Sequence, residues 1–391
     1  MPWKKVEPME ERVEFALKAL KTDNFRALCQ EYGISAKTGY KWRERLLQQG
    51  LAGLGELSRK PHSSPEQLPE REVCEMIRLK QKHRFWGPRK IRAVYLRLHG
   101  QAASESSFKR VLARAGMTEP RRPKRSAAQS GILRTGRQAQ RVNEVWTVDF
   151  KGWWYDGQSQ RCEPLTVRDE HSRYVLELQR LPDARTETVR ARFERLFERH
   201  GLPGAIRSDN GTPFAQVQGI MGLSRLSAWW VALGIELERG RPGHPQDNGA
   251  HERMHRDVAR ELEPHTGEQA ALDVWRQEFN WERPHESLGD RLPGEVYQNS
   301  ERRYTGTPED LEYTGMVVRK VSKVGWISWQ GETYFIGGSL VGWSVGLKPT
   351  ARGLWEVWFG RLLLGWLDES SLRFQRADIR PLEAGQSENE V

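Results

Sequence analysis

Apolar residues in the first fifty positions recur at helical spacing. Val13, Ala16, Leu17 and Leu20 predict one stripe. FRALCQEYGIS predicts a short helix with Phe25, Leu28 and Cys29 inward and Gly33 at the bend. Ser35 is placed to cap the next helix, AKTGYKWRERLLQQ. Helix, tight glycine turn, helix is the helix-turn-helix pattern, and its last helix would present Lys37, Thr38, Lys41 and Arg45 outward. A three-helix unit with no DNA role is the alternative. Further on, WGPRKIRAVYLRLHG is amphipathic with Pro88 near its first turn, and Ser104 can cap ESSFKRVLARAG, which carries Lys109 and Arg110. This predicts a second, weaker helix-turn-helix.

From Asn143 the pattern changes. VWTVDFKGWW and the two halves of CEPLTVRDEHSRYVLELQ predict strands, the latter around a turn at Asp169–Ser172. TETVRARFERLFERHG predicts a helix ended by Gly201; GAIRSDNG a strand; SRLSAWWVALG a helix; IELERG a strand. In GAHERMHRDVARELE, Ala250, Met254, Val258 and Leu262 form one stripe, with Asn248 as a candidate N-cap. Strands alternating with helices in this way predict a mixed α/β domain. From Met316 to Phe374, short β-patterned runs split by Gly and Pro predict a small antiparallel barrel. Its tryptophans read mainly as core filling.

These textures divide the chain. A helix-turn-helix domain (1–55), a Gly/Pro/Ser-rich linker (56–69) and a second helix-turn-helix domain (70–118) come first. A basic segment (119–142), the α/β core (143–300), the barrel (316–375) and a disordered tail (376–391) follow. The basic segment reads equally as a tether along a phosphate backbone or as a solvated linker.

Composition narrows the classes. No apolar run is long enough to span a bilayer, and the opening MPWKKVEPMEERVEF has no apolar signal-peptide core. Cys29, Cys74 and Cys162 are too far apart for a disulfide framework or a zinc finger, which fits a reducing, cytoplasmic setting. The net charge of +10 suits a polyanionic partner.

Three carboxylates sit where an α/β domain displays reactive groups. Asp149 lies near the end of VWTVDF, Asp209 ends AIRSD, and Glu252 lies near the start of its helix, off the apolar stripe. Taken alone, Glu252 reads as a surface residue pairing with Arg256 one turn later. Brought together, the three would repel unless cations sat among them. Hard oxygen ligands favour magnesium or manganese, and a pair of ions about 3.5–4 Å apart serves phosphoryl transfer. Arg253 and Arg256 then become phosphate contacts. His171, His244, His251 and His255 read as scattered cationic side chains near phosphate.

VWTVDFKG, SDNGTPF and GHPQDNGAHERMHRD together resemble the Asp-Asp-Glu core of insertion-sequence transposases of the retroviral-integrase type. The resemblance implies a ribonuclease-H-like fold and Asp149, Asp209 and Glu252 as ligands of two Mg2+ or Mn2+ ions. It also implies double-stranded DNA as partner (element ends and target), a homo-oligomer on that DNA, and end cleavage with strand transfer by a freed 3′-hydroxyl. The interval from Asp209 to Glu252 is longer than usual, with the surplus expected in AQVQGIMGLSRLS, so Asp247 and Asp257 remain rivals for the third ligand. A nuclease without strand transfer and a non-enzymatic DNA-binding regulator are the competing functions.

Overall fold

The structure is a computed structural model. It describes residues 8–56, 67–118, 138–240, 248–262, 266–350, 353–371 and 373–377. Most of the 56–69 linker, the 119–142 segment and the 376–391 tail lie outside the described residues, as do His244, Pro245 and Asp247. The chain divides into two units, Met1–Pro69 and Glu70–Val391.

The first unit holds helices α1 (Pro8–Lys18), α2 (Phe25–Glu31) and α3 (Ala36–Gln49). Asn24 and Ser35 cap α2 and α3 by accepting from the amides of Ala27 and Thr38. Gly33 takes the left-handed conformation, φ +62°, that the bend between them requires. Gly39 lets the helices close, since a Cβ there would lie 2.6 Å from the Cys29 sulfur. The buried stripe of α1 differs from expectation: Phe15, Ala16 and Ala19 face the core, while Leu17 and Leu20 are nearly half exposed. The larger Phe15 ring packs edge-on against Phe25 and Tyr32, and this rotates the helix.

The second unit opens with α4 (Glu70–Lys82), α5 (Pro88–His99) and α6 (Glu105–Arg114). Pro88 occupies the first turn of α5, where its missing N–H costs nothing, and Ser104 caps α6. A five-stranded sheet follows. It is built from β1 (Val145–Phe150), β4 (Pro164–Asp169), β5 (Val175–Arg180), β6 (Ala205–Ser208) and β7 (Glu236–Arg239); β2 (Trp154–Tyr155) and β3 (Arg161–Cys162) form a separate hairpin after β1. The order is β5-β4-β1-β6-β7, with β4 and β5 antiparallel to their neighbours and β6 and β7 parallel to β1.

Helices α7 (Thr186–His200) and α8 (Arg225–Ala232) bury one face of the sheet, around Trp146, Phe193, Phe197, Trp229 and Trp230. Each such aromatic removes roughly 150–250 Å² from water. Helices α9 (Gly249–Glu261) and α10 (Gln269–Trp281) build a second cluster with β5 and the hairpin, through Trp154, Cys162, Met254, Val258 and Trp275. The α4–α6 helices pack on this side, with His83 on Glu278 (3.1 Å), Lys82 on Glu282 (2.7 Å) and the Arg283 guanidinium over Trp86 (5.4 Å).

The C-terminal strands are β8 (Val317–Lys320), β9 (Trp326–Trp329), β10 (Glu332–Phe335), β11 (Ser344–Pro349), β12 (Leu354–Phe359), β13 (Leu362–Asp368) and β14 (Arg373–Arg376). They make an open antiparallel sheet, β14-β13-β12-β11-β8, beside the separate hairpin β9–β10. The expected small barrel thus takes the form of a sheet and a hairpin packed over one shared core, with no ladder closing it among the described residues. After β8 the chain turns at Ser322–Gly325, and β9 pairs with β10 instead of extending the sheet. Trp329 fills the small core as expected, while Trp326 stays largely exposed. Ile220, Leu223, Ala228 and Ala232 share this core, so the extra length between Asp209 and Glu252 carries the seat of the C-terminal sheet.

Candidate active site

Asp149 is the fifth residue of β1, and Thr147 and Asp149 project to the same face by strand alternation. β1 and β6 run parallel with Val145 opposite Ala205 and Thr147 opposite Arg207. Continuing that register by two residues puts Asp209 beside Asp149, on strands about 4.8 Å apart. Gly211 follows closely: a Cβ there would lie 2.8 Å from an Asp209 carboxylate oxygen. Helix α9 then delivers Glu252 in its first turn. Ligand atoms of Asp149, Glu252 and His255 lie within 4.8 Å of one another.

The Asp149 carboxyl is pushed up to about 7, first by burial and then by the charges of Asp209 and Glu252. Glu252 makes no ion pair with Arg256 among the described residues, so the plain surface pair is not formed. Of the rivals, Asp257 is taken by Arg283 at 3.1 Å, and Asp247 lies outside the described residues.

Two histidines lock α9 to the sheet, and sequence reasoning misplaced them. His251 and His255 are buried, not scattered at the surface. His251 Nδ1 lies 2.7 Å from the Thr147 hydroxyl and its Nε2 2.6 Å from Thr166; His255 Nε2 lies 2.8 Å from the same Thr166, whose hydroxyl also reaches the Asp149 carbonyl at 2.8 Å. Burial, followed by neighbouring charge, pushes both imidazoles down, His255 to about 3, so both are neutral at pH 7. The buried face of α9 is thus His251, Met254, His255, Val258 and Leu262, with Ala250 only half-buried. The signal was present in the spacing: His251 and His255 are four apart, and Thr147 is two before Asp149. Arg168 adds a bond to the Ala250 carbonyl, 2.8 Å. Behind Asp209, Arg239 donates to Phe214 O, Gly222 O and the Ser227 hydroxyl, knitting the 214–227 segment to the end of β7.

The expected DNA-contacting residues fall into groups. Arg253 and Arg256 are exposed on α9 beside Glu252. Lys109 and Arg110 are exposed on α6, where Lys109 pairs with Glu105 (2.7 Å) and Arg110 reaches the Ser107 hydroxyl (3.3 Å). In the first unit, Lys37 and Lys41 are exposed. Thr38 is half-buried with its hydroxyl on Ser35 (2.9 Å), and Arg45 lies against the Trp42 ring (5.2 Å).

Models of known families match along most of the chain. Two described as "Integrase core domain" match residues 139–245 and 233–293, and "IS481 family transposase, C-terminal domain" matches 316–372. "Helix-turn-helix domain" matches 11–62 and "Homeodomain-like domain" 38–112. An uncharacterized 31.7 kDa protein of insertion element IS407 from Burkholderia multivorans is 26% identical over 255 residues, covering 63% of this chain and 87% of its own. A 39.2 kDa protein of insertion element IS476 from Xanthomonas euvesicatoria is 25% identical over 257 residues, covering 64% and 71%. The catalytic core domain of BIV integrase aligns over 40% of this chain and 93% of its own at 26% identity, with a TM-score of 0.30. The chain thus carries an integrase core domain over 139–293 and an IS481-type transposase C-terminal domain over 316–372, and it is similar to proteins of bacterial insertion elements. Among its described residues no helix is long and apolar enough to cross a membrane.

Proposed function

We propose that the protein is a transposase that binds the ends of its element as duplex DNA and cuts and joins them at a divalent-metal site formed by Asp149, Asp209 and Glu252. The observation that carries the reading is the convergence of Asp149 with Glu252 at the end of β1, with Asp209 on the neighbouring strand; burial first, and then the Asp209 and Glu252 charges, raise the Asp149 carboxyl. Three carboxylate oxygen donors in one place suit a hard ion such as Mg2+ or Mn2+. When bound, a pair of such ions supplies an activated nucleophile and a stabilised leaving oxygen.

The chain's own residues supply the rest. Thr166 and the two histidines fix Glu252 against Asp149 before DNA arrives, which is the preorganisation that phosphoryl transfer rewards. Arg253 and Arg256 offer charge to the phosphates on either side of the scissile bond. Lys37, Lys41, Lys109 and Arg110 lie on helices suited to a major groove, with Thr38 and Arg45 more constrained. Assembly as a homo-oligomer on DNA accompanies this reading, because two ends must be held together for joining.

The test is joining itself. DNA carrying the flanking repeats, a supercoiled target and Mg2+ should yield joined product, and none should form with a chelator present. Duplex binding should weaken steeply as salt rises, since each neutralised phosphate releases counterions. Cleavage without any joined product would favour the nuclease reading. Binding without either would favour the regulator.

A further inference from the structure

The hairpin after β1 has a face that the chemistry above does not use. Strand alternation sends Trp154 and Cys162 inward, where both are buried with Met254 and Val258 of α9. It sends Trp153 and Tyr155 outward, 55% and 57% exposed, with their rings edge-on at 5.4 Å. Arg161, opposite Tyr155, lays its guanidinium over the Trp153 ring at 5.4 Å and pairs with Glu163 at 2.6 Å.

The hairpin is braced well beyond what its two short strands would manage alone. Arg180 donates to Asp156 (3.3 Å), Gly267 O (3.2 Å), Gln160 (3.2 Å) and Arg161 O (3.0 Å). Trp154 Nε1 reaches Thr266 O at 2.9 Å. The inward residues and Arg180 therefore anchor the hairpin, and the outward rings are not needed for that. Their position is also fixed: Trp153 is four residues after Asp149, so at most about 14 Å of chain separates them.

We propose that Trp153, Tyr155 and Arg161 form a stacking platform for an unpaired base of the DNA strand that leads into the carboxylate cluster. This rests on the transposase reading above. Two rings and a guanidinium match one or two bases, whose π-faces stack on aromatics without regard to sequence, while the cation meets the adjoining phosphate. The patch is far smaller than the roughly 800 Å² a protein partner would cover. A strand drawn from its duplex towards the cluster presents such bases.

The experiment uses the full chain without metal, so that it reads binding and not chemistry. The probes are an oligothymidylate carrying 5-iodouracil and a blunt duplex of equal length. Trp153→Ala should weaken oligothymidylate binding at least tenfold, about 1.4 kcal/mol, and leave duplex binding within twofold. Trp153→Phe should retain most of the affinity, and Tyr155→Ala should lose it in part with an unchanged melting temperature. Irradiation should cross-link the probe to Trp153 or Tyr155. Equal oligothymidylate binding by wild type and Trp153→Ala, or equal losses on both probes, overturns the platform. If the wild type joins DNA ends while those results hold, the transposase reading survives without it. A wild type that binds neither probe overturns both.

Discussion

Asp149 is a charge held where charge is costly, and its energetics can be read without DNA. Its carboxyl sits near 7 in the fold against about 3.8 unfolded. Between those values the folded chain keeps a proton that the unfolded chain has released. Raising the pH through that window therefore lowers stability, and above about 7 the effect is flat. Asp149→Asn removes the penalty. In chelator, the variant should melt a few degrees above wild type at pH 8, a gain of a few kcal/mol at most, with a smaller gap at pH 5. Added Mg2+ should raise the wild-type melting temperature and leave the variant unmoved. A variant no more stable than wild type at pH 8 would mean that Asp149 is not strained by its neighbours. The three carboxylates were legible in the sequence because strand ends and a helix start announce them. The histidines were not, since a His on an α9 surface pattern looks like a solvated cation until the threonines opposite it are known.

At the scale of elements, α9 does two jobs with one helix. Its buried side joins the expected apolar residues Met254, Val258 and Leu262 to two hydrogen-bonded histidines that grip the sheet, and its adjoining side offers Glu252, Arg253 and Arg256. Thr166 is the pivot, since its hydroxyl meets both imidazoles and the Asp149 carbonyl. Thr166→Val keeps shape but strands these buried groups, at a cost of about 1–3 kcal/mol. Urea unfolding should show that loss, and joining should fall further than stability explains because Glu252 is no longer pinned. Unchanged stability would show that the network bears no load. The helices and strands of the core were legible from their period. Barrel closure was not, because strand pairing across β8 and β14 is a long-range choice that alternation alone leaves open.

For the whole molecule, α4–α6 pack with the α/β core in one compact unit. Trp86 is buried, stacked on His83 at 3.8 Å and covered by Arg283 from beyond α10. Lys90, pushed down to about 8 mainly by burial, lies in the same contact. Trp86→Ala should remove roughly 3–5 kcal/mol, and in a 67–377 fragment it should lower one shared transition. A new early transition with the core melt unchanged would instead mark 70–118 as independently folded. Sequence texture separated that segment from the core, since charged surface pairs such as Lys82–Glu282 leave no local pattern.

On the proposed reading, Glu252 completes a metal site with Asp149 and Asp209. The most direct measurement is strand transfer of the element's own end DNA by wild type and Glu252→Gln, under matched duplex binding, in Mg2+. The variant should bind DNA as wild type does and join it at least about a thousandfold more slowly, about 4 kcal/mol of lost transition-state stabilisation. Joining at the wild-type rate would remove Glu252 from the metal site and move the third ligand to another carboxylate, with Asp247 first in line.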